Sequence, residues 1–143
     1  MQRLSVERVL PAPIDAVWAL YTDHRGWAKL LGTISVKLDA EGSPSPNGVG
    51  CVRRISVGGI EMVAEEVTVF EPPKRMKYRI LRGGGPIRNH DGEVLFAQVD
   101  GGTKVTWRVE FESTIPGLGG LVAAGVRRFF VHLLGRMEAQ LLQ

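Results

Sequence analysis

An α+β fold, a curved antiparallel sheet of about seven strands wrapped around one long C-terminal helix, is what this 143-residue chain predicts. Three observations lead there. The apolar patterning runs in the order strand, two short helices, six strands, long helix. The six strands follow one another through short glycine-rich turns, which demands antiparallel pairing. The last segment is the only large apolar element left to cover the sheet's apolar face.

Residues 2–10 alternate, with Leu4, Val6 and Leu10 on one face and Ser5, Glu7 and Val9 on the other. Pro11-Ala12-Pro13 ends this strand. Pro13 suits the first turn of a helix, and Asp15 suits its positive end. Ile14, Val17, Trp18 and Tyr21 then recur at helical spacing. Asp23 is a good N-cap for a second short helix running to Leu31, with Gly32 as its stop. Residues 34–38 form a short strand, and residues 41–48, rich in Gly, Ser and Pro, form a loop. Strands follow at about 49–57, 60–70, 75–82, 87–99 and 103–114. After Pro116 and three nearby glycines comes a helix of more than twenty residues, about 30–35 Å long. Val126, Phe130, Leu133, Met137 and Leu141 mark its apolar face. No linker or repeat divides residues 1–143, which read as a single domain.

Composition narrows the function classes. The net charge of +3 is too small to point to nucleic acid. Lys74, Arg75, Lys77, Arg79 and Arg82 cluster on one strand and read as its solvated face and loop. One cysteine, Cys51, excludes an intramolecular disulfide framework. The charged N-terminus lacks the apolar run of a signal peptide. The longest uncharged apolar candidate, Ile115 to Val126, is too short for a membrane span and is broken by Pro116 and four glycines. A cytoplasmic protein without stable membrane insertion is expected, monomeric or weakly dimeric. No histidine pair has metal-ligand spacing, so neither metal nor cofactor is expected.

Hairpin registers carry polar groups inward. A loop at Gly101-Gly102 pairs Phe96 with Trp107 and His90 with Ser113. A turn centred on Gly84 pairs Ile80 with Arg88, Tyr78 with His90 and Met76 with Gly92. A turn centred on Gly59 pairs Ile55 with Val63, Arg53 with Glu65 and Cys51 with Val67. Val63, Val67 and Val69 mark the apolar face, and Glu65 falls on it. A buried Glu needs a partner, and Arg53 opposite can supply it. This pair is either an anchor for a ligand's carbonyl or carboxylate, or an internal structural ion pair. His90 faces inward unless a bulge intervenes. It reads as a general base or ligand donor, or as a wall histidine bonded to Tyr78 or Ser113. His132 reads as a solvated flank of the long helix, and His24 as a loop residue. No nucleophile elbow supports a hydrolase triad, and Gly117-Leu118-Gly119-Gly120 lacks the crossover unit of a dinucleotide site.

The chain resembles a known family. Ala12-Pro13-Ile14-Asp15-Ala16-Val17-Trp18 with Asp23 and Trp27 looks like the opening of bacterial polyketide cyclase/dehydrase-like proteins, of the START-type, pollen-allergen-like helix-grip superfamily. Gly50-Cys51-Val52-Arg53-Arg54, Glu65-Glu66-Val67, Phe70-Glu71-Pro72-Pro73, Tyr78-Arg79-Ile80, Gly102 to Trp107 and Ile115-Pro116-Gly117 continue it in order over nearly the whole chain. The resemblance implies a helix-grip fold with a hydrophobic cavity between sheet and long helix. The expected cavity residues are Trp18, Trp27, Arg53, Glu65, Tyr78, Arg88, His90, Trp107, Val126, Phe130, Leu133 and Met137. The first functional expectation is binding or transport of a small hydrophobic ligand, a lipid or polyketide. An aromatase/cyclase using His90 or Glu65 is the second. A partner-binding module of the chaperone-activator or quinone-delivery type, supported only by the basic strand, is the third.

Overall fold

A computed structural model describes residues 1–143. The strands are β1 (Gln2–Leu10), β2 (Ile34–Ala40), β3 (Val52–Val57), β4 (Ile60–Glu71), β5 (Arg75–Gly83), β6 (Ile87–Val99) and β7 (Gly102–Ser113). They form one antiparallel sheet in the order β1-β7-β6-β5-β4-β3-β2. Three helices complete the fold: α1 (Ile14–Thr22), α2 (Trp27–Leu31) and α3 (Gly119–Leu141).

The second helix expected from Asp23 to Leu31 is broken in two. Asp23 caps a 3-10 turn at His24–Gly26, accepting from the Gly26 N–H at 3.3 Å, and α2 follows. Gly32 ends α2 in the left-handed region, φ 73°, as a helix stop requires. The 23-residue α3 divides along its length. Its C-terminal half buries Phe130, Leu133, Leu134 and Met137 against the sheet. Three arginines fasten it. Arg8 on β1 donates to Glu138 at 2.7 Å, Arg136 to the Leu30 carbonyl at 2.8 Å and Arg127 to the Ser5 carbonyl at 3.0 Å.

The registers keep the expected faces but not all the expected partners. Cys51, Arg53 and Ile55 lie opposite Val67, Glu65 and Val63, as the Gly59 turn predicts. Across β6 and β7, Trp107 pairs with Val94 rather than Phe96, and Phe96 with Val105. The hairpin loop is Asp100-Gly101, one residue earlier than expected. Gly102 belongs to the ladder, because its backbone lies against β1: a Cβ there would collide with the Leu10 carbonyl oxygen. Moving a loop by one residue moves every partner by two, so each side chain keeps its face. The same two-residue shift places Tyr78 opposite Gly92 instead of His90.

Bulges correct two further expectations. On β6, Asn89 and His90 together face Phe111 between the Arg88–Glu112 and Asp91–Glu110 pairs. Asn89 adopts φ 52°, the left-handed conformation that asparagine tolerates. This bulge keeps His90 inward and turns Arg88 outward, where its guanidinium meets Glu112 at 3.3 Å. A bulge on β4 between Val67 and Val69 brings Phe70, not Val69, opposite the inward Met76.

The basic strand is neutralised by acids beside it. Arg75 pairs with Glu71 and Glu93, Lys77 with Asp91, Arg79 with Glu66, and Arg82 with Asp39 and Glu61. No helix is long and apolar enough to cross a membrane.

Candidate functional site

Between the sheet and the N-terminal half of α3 lies a cavity of about 610 Å³. Its size falls within the range of small-molecule sites. Apolar walls come from strand parity: Ile55, Val63 and Ile80 face inward from β3, β4 and β5, and Ile87 joins them beyond the β6 bulge. Val122, Val126 and Phe129 close it from α3, at the end where the helix stands off the sheet. Val57, Met62 and Gly125 are both lining and exposed, and they mark the mouth.

The floor is aromatic. Trp107 stacks on Phe130 with ring centroids 3.8 Å apart and planes 11° apart. Its indole N–H donates to the Tyr78 hydroxyl at 2.7 Å. The Tyr78 ring lies flat across β6 because Gly92 has no side chain: a Cβ there would collide with Tyr78 Cζ. Burial holds the Tyr78 hydroxyl well above the usual tyrosine pKa, so it stays protonated.

Two polar groups interrupt this apolar lining deep in the cavity. Glu65 is one, with 12% of its side-chain surface open. Arg53 stands behind it, fully buried, and donates from Nε to Glu65 Oε1 at 3.0 Å. The guanidinium is held between two rings, 5.0 Å from the Trp27 centroid and 4.6 Å from that of Tyr78. Burial works against the Arg53 charge, but the Glu65 carboxylate together with Tyr21 and Tyr78 outweighs it and the pKa rises. His90 is the second polar group. Its ring centroid is 5.3 Å from that of Tyr78. Its Nδ1 is buried without a hydrogen-bond partner, and burial lowers its pKa, leaving the imidazole neutral at pH 7.

Seven of the expected cavity residues line the cavity: Trp27, Glu65, Tyr78, His90, Trp107, Val126 and Phe130. The other five do not. Trp18 faces Phe70 and Phe96 beneath α1, at ring distances of 5.3 and 5.1 Å. Arg53 is a layer behind the wall, Arg88 is outside it, and Leu133 and Met137 are sealed in the core under the C-terminal half of α3. His90 bonds neither Tyr78 nor Ser113; the serine hydroxyl instead donates to the Ile115 carbonyl at 3.0 Å. His132, read as a flank, is exposed at the cavity rim.

Sequence reasoning missed His24. It is wholly buried beside Tyr21 and Trp27, with neither nitrogen hydrogen-bonded. Burial above all, and Arg53 in addition, keeps its pKa well below the histidine norm. Nothing in the polar stretch Asp23-His24-Arg25-Gly26 signals this, because it depends on the turn packing against β2. No group of three or more His, Cys, Asp or Glu side chains is placed to hold a metal.

A seven-stranded sheet gripping a long C-terminal helix over an apolar cavity defines the helix-grip fold class. The chain belongs to the family described as polyketide cyclase/dehydrase and lipid transport, whose model matches residues 1–141. Solved structures share the fold. Ara h 8.0201 superposes with TM-score 0.80 at 20% identity, covering 99% of this chain and 97% of that one. TTHA0849 from Thermus thermophilus gives 0.75 at 24% identity, covering 99% and 97%. A START superfamily protein from Mycobacterium smegmatis gives 0.78 at 14% identity, also covering 99% and 97%. No curated protein matches the chain.

Proposed function

We propose that this chain acts as one domain that binds and carries a small hydrophobic ligand in the cavity between sheet and α3. The observation that carries this reading is the cavity itself: 15 of its 23 lining residues are hydrophobic, and no lysine or arginine is among them. An apolar guest of lipid or polyketide size would exchange water for apolar surface there, at about 25 cal/mol per Å² buried. The partner-module reading loses its support, because the basic strand is matched by acids on its neighbours.

Val126 lies on the open half of α3 and is only partly buried. Val126→Trp is expected to fill the cavity and weaken binding of the neutral fluorophore N-phenylnaphthylamine by at least about tenfold, 1.4 kcal/mol, while far-ultraviolet circular dichroism stays unchanged. Equal binding by both proteins would place the ligand elsewhere.

One observation favours a catalytic second reading: His90 lines the apolar cavity with Glu65, its imidazole held neutral by burial and its Nδ1 without a hydrogen-bond partner. In an aromatase/cyclase this imidazole would take a proton α to a ketone of a poly-β-keto chain. His90→Phe is then expected to reduce turnover of such a substrate by about 10²-fold or more. Unchanged turnover would remove His90 from the chemistry.

A further inference from the structure

We infer that the cavity selects apolar ligands whose polar end is a hydroxyl, and rejects those ending in a carboxylate, because Glu65 and not Arg53 meets the ligand. The inference rests on the ligand-binding reading above and specifies its chemistry.

The order of the charged pair in depth decides the matter. Arg53 is the cation paired with the lining Glu65, and it cannot reach a guest. It is 0% exposed, and the Trp27 and Tyr78 rings both lie against its guanidinium. Its Nε is committed to Glu65 Oε1, and the other carboxylate oxygen of this cavity-lining residue has no protein donor. The group a ligand meets is therefore an acceptor. A ligand carboxylate placed there would put two like charges together in an apolar site, with no lining lysine or arginine to offset them. An alkane would leave the acceptor unmatched. A hydroxyl donates one proton to Glu65 and keeps its own oxygen as an acceptor. His90 lines the same cavity, but its unpartnered Nδ1 is closed off, so the contact rests on Glu65.

The remaining titratable lining groups do not change this. Tyr78 is 2% exposed, and its hydroxyl is turned to the Trp107 N–H that it accepts. His132 is exposed at the rim, where water competes for it. Arg53 and Glu65 neutralise one another, so an ammonium head would add an uncompensated charge to the cavity. A neutral donor adds none.

The test is competition at pH 7.5 between chain-matched probes, dodecanol and dodecanoate, for N-phenylnaphthylamine bound to the full-length protein. Dodecanol is expected to displace the fluorophore at about tenfold lower concentration than dodecanoate, the equivalent of 1.4 kcal/mol. In Glu65→Gln, whose amide both donates and accepts, the preference is expected to shrink to about threefold or less. The wild-type comparison stands on its own if that variant fails to fold. Displacement by dodecanoate at equal or lower concentration than dodecanol overturns the inference and leaves ligand binding intact. Failure of both probes against a bound fluorophore also overturns it. If the fluorophore does not bind at all, the ligand-binding reading falls and takes this one with it.

Discussion

Arg53→Met is expected to lower the unfolding free energy by about 3–5 kcal/mol, the cost of leaving one partner of a buried ion pair alone. The residue is fully buried, and its side chain fills the space between two rings. Methionine replaces most of that volume, so the loss reports charge more than packing. What remains is a Glu65 carboxylate in an apolar wall with no donor. The double variant Arg53→Met with Glu65→Leu is expected to recover most of the loss, since neither charge is then taken from water. Urea unfolding at pH 7 measures both. A single variant within about 1 kcal/mol of wild type would show that the pair carries little of the stability.

Trp107→Ala is the second large effect, with an expected loss of about 3–5 kcal/mol. Three contacts vanish together. The stack on Phe130 at 3.8 Å ties β7 to α3, the edge contact with Tyr21 at 5.4 Å ties it to α1, and the N–H donor to Tyr78 is removed. The cavity floor would open toward the core. Trp107→Phe keeps a ring on Phe130 and loses mainly the hydrogen bond, so its cost is expected to be nearer 1 kcal/mol. A Phe variant as unstable as the Ala variant would mean that the bond, not the stack, dominates.

The two predictions differ in how visible their residues are in the sequence. The Arg53–Glu65 pair follows from strand alternation and one turn at Gly59, and the observed ladder has it. Trp107 belongs to a plain alternating strand, so its inward face is equally legible. Its partner Phe130 is not, because stacking depends on where α3 crosses the sheet. The helix angle is set by Arg8–Glu138 and Arg136–Leu30, contacts between residues more than 100 positions apart.

Arg88 shows the limit of alternation. Counting by twos from Phe96 sends it inward. The Asn89-His90 bulge adds one residue and reverses the strand beyond it. Asn89 tolerates a positive φ, but asparagine does so in turns of every kind, so its identity alone does not announce a bulge. Gly92 is a similar case. Its role depends on a Tyr78 ring lying across it, which no local pattern reveals.

By itself, the sequence determined the element order, the antiparallel pairing, the inward face of β3, of β4 as far as Val67 and of β7, and the family. Each follows from periodicity, turn chemistry or motif order, which are local properties of the chain. The tertiary structure decided depth. It set Arg53 behind Glu65, turned Arg88 out, sealed Leu133 and Met137 away and left Val126 at the cavity. Strand parity names a face but not a distance from the ligand. That distance is fixed only when bulges and the stand-off of α3 determine which side chains fill the interior and which line the space left over.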